Sequence, residues 1–492
     1  MLQSYNLLRR FVVTLHKIGG ASAIKVNFIE LDLHYFCIKY LKYDKTQTIK
    51  MQNIDKSILR IALPSIVANI TVPLLGLVDM AVSGHLGNAV YIGAVAVGSM
   101  IFNVIYWVFG FLRMGTSGMT SQALGRRDMG DVATTLARSI AVAIGVAAFI
   151  LLLQRPLGTA TLALVGATEE INAEAWHYFR ICVWGAPAML CLYSLTGWYI
   201  GMQNTRLPMF ISIMQNVVNI AASCTFVYAF GMKVEGIALG TLTAQYAGLL
   251  VSLSLWSATY GKRILRHVEW RRIVEGTAMR RFFGVNRDIF LRTLCLVAVN
   301  FYFLSAGASQ GAVVLAVNTL LMQLFTLYSY VMDGFAFAGE ALCGKHYGAR
   351  NHKEFGRTVR RLFAWGAALT AAYTLVYAVG GTGFLALLTD EPNVVAAAAD
   401  YAPWAVLIPV CGLAAFIWDG VFIGTTNTRG MFAATAVAML VFFAVYLSLR
   451  GVWHNHALWL AFLAYLAARG AVQSAIYFHT FLANTKPFQP QR

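Results

Sequence analysis

The chain has 492 residues, 59% of them hydrophobic and 12% charged, with a mean hydropathy of +0.64. So few charges cannot cover a water-soluble protein of this length, which excludes that class and leaves an integral membrane protein. The formal net charge of +17 does not point to nucleic acid, because the Lys and Arg residues gather in loops between apolar runs.

Residues 1–50 fit neither a membrane span nor a clean amphipathic helix. His16 and Lys17 break the only apolar run that could form a signal-peptide core. They are expected to be a poorly ordered extension, with Met51 before "QNIDKSILRIALP" as a natural start. A segment lying on the membrane surface is the alternative.

Beyond Met51, apolar runs long enough to cross about 30 Å of hydrocarbon recur along the chain. Runs and breakers predict twelve spans, at 57–84, 91–122, 132–153, 171–202, 208–230 and 236–260, then 287–306, 312–344, 354–388, 394–424, 431–449 and 457–481. The fold class is an all-α membrane protein of twelve transmembrane helices. A β-barrel would show short alternating segments instead. Loops after even-numbered spans carry the basic residues, among them Arg126, Arg127, Arg206, Lys262, Arg263, Lys345, Arg350 and Arg429. The opposite loops hold Glu169, Glu170 and Glu174. Both termini are therefore expected on the cytoplasmic side.

The chain repeats itself. "YIGMQNTR" from Tyr199 returns as "FIGTTNTR" from Phe422, and "LGRRDMGD" from Leu124 returns as "YGARNHKE" from Tyr347, both shifted by 223 positions. The reading is two pseudo-symmetric six-helix lobes, 51–260 and 287–483, joined by a basic linker over 261–286 and followed by a cytoplasmic tail at 484–492. Six is even, so the lobes run in the same direction and their symmetry axis stands along the membrane normal. Substrate then belongs in a cleft between them near mid-membrane. No Walker GxxxxGK[ST] occurs, so uphill transport must draw on an ion gradient.

Pro64 and Pro73 interrupt the hydrogen-bond ladder of the first span and make it bendable. Asp79 follows, in the outer half of that span. Its two readings are a solvated interfacial acid and a carboxylate in a cavity that takes up and releases a proton. Asn219 and Ser223 lie one turn apart on the fifth span, with Asn216 on nearly the same face. They serve either helix–helix packing or the orientation of Asp79. Arg113 and Asp333 lie about 16 and 18 Å in from the basic ends of symmetry-related spans. They form a candidate inner gate, or each pairs within its own lobe. Arg292 and Glu340, each about 8 Å deep on neighbouring spans, are expected to form a structural pair. Asp419 in "WDGVFIG" is a cap, a gate or a second acidic site. The seven cysteines are scattered and form no CxxC or Cys/His cluster, so neither a disulfide framework nor a metal site is implied.

"ALPSIVANITVPLLGLVDMAVSGHLG" resembles the first helix of multidrug and toxic compound extrusion (MATE) transporters. "GFLRMGTSGMTSQALGRRD", "GMQNTRLPM", "GVNRDIFLRTLCL" and "DGFAFAGEALCGKHYGAR" are similar to the DinF-like branch, and the resemblance runs in order from about Met51 to Phe481. It implies an ion-coupled antiporter of organic, mostly cationic compounds against H⁺ or Na⁺, in the bacterial cytoplasmic membrane, with no cofactor. It also implies that Asp79 is the proton-responsive acid and that Pro64 is the family's bending proline. On the fifth helix the family's Asn-x-x-x-Asp is here "NIAAS". Asn219 matches but Ser223 replaces the acid, which speaks against a Na⁺ site of several carboxylates. Thr241 matches a further polar position of that site.

The expected partners are small organic molecules, a coupling cation and the bilayer, with no nucleic acid and no second copy of the chain. The alternative function is a flippase for a lipid-linked precursor or other amphiphile. Such a flippase calls for several cavity arginines, whereas only Arg113 and Arg180 lie at membrane depth on this reading. A passive scaffold has no use for intramembrane charges, and an enzyme lacks a nucleophile–base constellation.

Overall fold

The computed structural model describes residues 54–273, 275–385 and 391–482. The extension expected over 1–50 and the tail over 484–492 lie outside the described residues. All regular structure among the described residues is helical.

Among the described residues twelve long helices follow one another. They are α1 (Ile54–Gly84), α2 (Ala89–Arg126), α3 (Met129–Leu152), α4 (Glu169–Gly201), α5 (Arg206–Ala229) and α6 (Val234–His267). The second set is α7 (Gly276–Ala308), α8 (Ala312–Gly348), α9 (His352–Leu385), α10 (Pro392–Gly424), α11 (428–453) and α12 (455–477). The last two adjoin at His454, whose φ of 44° breaks the helical path. Each lies over one of the twelve spans read from hydropathy, and most are longer. The 37 residues of α8 measure about 55 Å at helical rise, so the helix projects beyond the hydrocarbon or tilts. A short helix, Gln154–Val165, was not anticipated. "QRP" ends the third span, and the apolar residues that remain are too few to cross a membrane.

The repeat extends to backbone detail. Arg127 and Arg350 both take the left-handed conformation that ends a helix, with φ of 61° and 56°. Gln203 and Thr426 do the same at 63° and 53°. Immediately after the first pair, the Asp128 side chain caps α3 by accepting from the Asp131 N–H at 2.9 Å, and Asn351 caps α9 by accepting from Glu354 N–H at 3.1 Å. Every one of these matches is separated by the same offset as the sequence repeat.

The lobes meet near the end that carries the basic loops. There the second half of α2 lies against α8, and contact is set by residues without side chains. A methyl group on Gly125 would come within 2.1 Å of the Lys345 carbonyl oxygen, and one on Gly348 within 2.2 Å of the Gln122 carbonyl oxygen. The two contacts are mirror copies under the repeat, as small residues allow between membrane helices. Gln122 Nε2 donates to the Gly424 carbonyl at 2.9 Å, Lys345 Nζ to Gln203 Oε1 at 3.2 Å, and Asn69 Nδ2 to the Tyr330 carbonyl at 3.1 Å. These bonds between the lobes lie from mid-helix down to the basic end. α1 bridges the lobes: Ile58, Ile61 and Ala62 pack in one cluster with Tyr328 and Met332, while Val82 packs with residues of α2 and α4.

The linker is tied to α3. Arg138, 4% exposed, donates to the backbone carbonyls of Arg272 at 2.6 Å and Ile273 at 3.1 Å. These carbonyls end the short helix Trp270–Ile273, where a cation satisfies unbonded oxygens.

Candidate functional site

Asp79 stands six residues beyond Pro73 on α1, 5% exposed, with Oδ1 in no hydrogen bond. Little of it is open to solvent. Across from it on α4 lie Tyr178 and Cys182, within electrostatic reach and fully enclosed. No arginine or lysine pairs with it among the described residues.

α5 and α6 supply the neighbouring polar wall. Asn219, wholly buried, donates from Nδ2 to Thr241 Oγ1 at 3.0 Å and leaves its own Oδ1 without a partner. It therefore aligns with Thr241 rather than donating to Asp79. Ser223, one turn on, is buried with Oγ unbonded, and α6 approaches it through Gly240, where a methyl group would meet that Oγ at 2.1 Å. Asn216 turns instead to α1, donating to the Thr71 carbonyl at 2.7 Å two residues before Pro73. Thr71 and Ser212 hydroxyls meet at 3.0 Å beside it. The proline-weakened stretch of α1 is thus strapped to α5. At the other end of the helix, Ser65 and Thr205 both donate to the Ile61 carbonyl, one residue position from the Arg60 oxygen that Pro64 cannot bond.

The sequence reading missed Tyr106 and Gln245. They lie side by side, and neither the Tyr106 hydroxyl nor Gln245 Oε1 makes a hydrogen bond of good geometry. Asp79, Tyr106, Asn219, Ser223 and Gln245 thus bring five unbonded buried oxygens into one lobe. Buried polar atoms left unbonded in this way can take up water or a polar ligand.

The C-terminal lobe is wired differently. Asp419 on α10 accepts from Arg292 Nη2 of α7, from Arg469 Nη2 of α12 at 2.9 Å and from Gln473 Nε2 at 2.8 Å, all buried. Arg292 therefore pairs with Asp419 and not, as expected, with Glu340. Arg469 and Gln473 carried no recognisable signal inside the apolar run of the last span.

Glu340 belongs to the joint between the lobes. Its carboxylate accepts from Ser117 Oγ at 2.6 Å and pairs with Arg113 Nη1 at 3.4 Å, while the Arg113 guanidinium lies 4.2 Å over the Phe337 ring. Arg113 thus crosses between lobes, but to Glu340 rather than Asp333. The fully enclosed acid, 1% exposed, needs the cation more than Asp333, which is half-buried and makes no hydrogen bond or ion pair among the described residues. Ser117 and Glu340 are themselves 223 residues apart. A residue that bonds its own repeat partner lies on the symmetry axis.

Comparison with known proteins agrees with this architecture. The MatE family model matches twice, over residues 64–225 and 289–447, once in each lobe. DNA damage-inducible protein F of Escherichia coli (strain K12) is 37% identical, over 86% of this chain and 92% of its own length. The probable multidrug resistance protein NorM of Acinetobacter baylyi is 23% identical, over 75% and 82%. Among solved structures, the bent form of the Vibrio cholerae MATE transporter VcmN superposes with a TM-score of 0.77 at 18% identity, covering 89% of this chain and 99% of that one. Two family matches at the spacing of the internal repeat, on twelve helices arranged as in solved members, place this chain in the MatE family of membrane transporters, on its DinF-like branch.

Proposed function

We propose that the protein is a proton-coupled antiporter that exports organic, mostly cationic compounds across the bacterial cytoplasmic membrane. It works as a monomer by alternating access, with the basic end and both termini in the cytosol. The observation that carries the reading is Asp79, a buried carboxylate that forms no ion pair among the described residues, in a lobe that holds further unbonded polar oxygens. In its ionised form it holds a cationic group, and Tyr106, Asn219 and Gln245 give the remaining polar contacts. Protonation from the outer side removes the charge that holds the cargo. The lobes are bonded to each other only from mid-helix to the basic end among the described residues, so the site at Asp79 releases toward the opposite side in this state. One carboxylate among neutral oxygens suits a proton better than Na⁺, which prefers several hard, charged ligands. The relatives' names, a multidrug resistance protein among them, agree with drug-like cargo.

The test uses purified protein in liposomes, a fluorescent organic cation, and a pH or a Na⁺ gradient imposed separately. Transport is expected to follow the pH gradient and to vanish in Asp79→Asn. Normal coupling in that variant would move the proton site to Asp333 or Asp419, and transport driven by Na⁺ alone would replace the coupling ion.

A further inference from the structure

The Gln154–Val165 helix, α4 and α6 border an open cavity of about 890 Å³. Gly158 sets its shape. A methyl group there would stand 2.4 Å from the Trp176 ring, so the short helix lies directly against α4. Arg155 on the short helix and His177 and Arg180 on α4 line the cavity, together with Trp184, Leu239 and Leu242. Both arginines are exposed, and neither forms an ion pair among the described residues. Arg180 lies eleven residues past Glu169, which starts α4, and so about 16 Å down the helix. An unpaired guanidinium at that depth has to meet an anion or reach the headgroup layer.

The lining is divided. Arg155, His177 and Arg180 offer donors, while Trp184, half exposed, continues with Leu239 and Leu242 as an apolar strip. A soluble anion would use only the first part. An anionic amphiphile uses both. We propose that this cavity binds an anionic phospholipid of the leaflet opposite the basic end. Its phosphate is held by Arg155 and Arg180, and an acyl chain lies along Trp184, Leu239 and Leu242. Guanidinium groups bind phosphate oxygens in pairs, and the size fits the range of about 300–1,000 Å³ for specific pockets. None of its lining residues is among those proposed for proton coupling, and its test does not depend on the coupling reaction.

The full chain in mild detergent is titrated with phosphatidylglycerol or with phosphatidylcholine of the same acyl chains, and retained lipid is counted by native mass spectrometry. The expected result is retention of one phosphatidylglycerol in preference to phosphatidylcholine. That preference falls about tenfold in Arg155→Gln/Arg180→Gln and is unchanged in Arg263→Gln at the basic end. Trp184→Ala is expected to weaken retention without changing the headgroup preference, and it gives a test that does not touch the charges. Equal retention of both lipids, or an unchanged preference in the double variant, would overturn the proposal. So would full displacement of the lipid by millimolar inorganic phosphate, because the site would then belong to a soluble anion.

Discussion

Two of the buried aspartates, Asp79 and Asp419, face opposite conditions, and a neutral isostere separates them. Asp419 balances two buried arginines and accepts three hydrogen bonds. Asp419→Asn leaves Arg292 and Arg469 without a counter-charge, which typically destabilises by about 3–5 kcal/mol. Among the described residues Asp79 forms no ion pair and has an unbonded oxygen, so Asp79→Asn removes a charge that burial disfavours and leaves packing intact. Thermal unfolding in detergent should therefore show a clear fall for Asp419→Asn and no fall, or a rise, for Asp79→Asn. Equal losses would mean that Asp79 is also held by a structural network. This contrast was only half legible in the sequence. The depth of each acid along its helix follows from counting residues, but its partner depends on how the helix is rotated and on what the neighbouring helix presents. Arg113 reaches Glu340 instead of Asp333 for that reason. Tyr106 and Gln245 were missed because a neutral polar residue in an apolar run looks the same whether it packs or lines a chamber.

Between helices, the joint at the basic end rests on backbone contact. Gly125 and Gly348 each face a carbonyl group across the α2–α8 contact, and a backbone atom cannot rotate out of the way as a side-chain tip can. Gly348→Ala must therefore push the two helices apart, at a cost on the order of 1–3 kcal/mol to the closed arrangement. The population should shift by about tenfold or more toward a state opened at this end. Cys343, five residues earlier on α8 and fully buried, reports the change. Its labelling by a maleimide, resolved by peptide mass spectrometry, should be slow in the parent protein and faster in Gly348→Ala. Unchanged labelling would show that the joint absorbs the methyl group. The helices themselves were readable because span length, prolines and loop charges are local signals. The repeat was readable because caps and left-handed turns recur in the chain, as Arg127 and Arg350 do. The Gln154–Val165 helix was not. It is too short to span and too apolar to read as a loop, and only its packing through Gly158 against Trp176 defines it.

On the scale of the whole molecule, the two lobes are related by an axis, and contacts on that axis have a special property. Ser117 donates to Glu340, its own repeat partner, and Gly125 and Gly348 make reciprocal contacts beside it. A contact on the axis belongs equally to both lobes, so motion inside one lobe can leave it intact, whereas separating the lobes at this end must break it. Arg113 adds a charge to the same point. The closed basic end is thus held by a small polar lock surrounded by glycine contacts, and breaking it need not disturb either lobe's own core. Alternating access by rocking of two repeats therefore predicts that Ser117 and Glu340 separate once in every cycle. Replacing both by cysteine and joining them with a short bifunctional thiol reagent should hold the basic end shut. Transport in liposomes should stop, while a fluorescent cation added from the opposite side still binds at Asp79. The singly substituted proteins treated in the same way should still transport. Continued transport with the bridge in place would mean that the lobes do not part at the axis, and the cycle would have to run through bending of α1 at Pro64 and Pro73 alone.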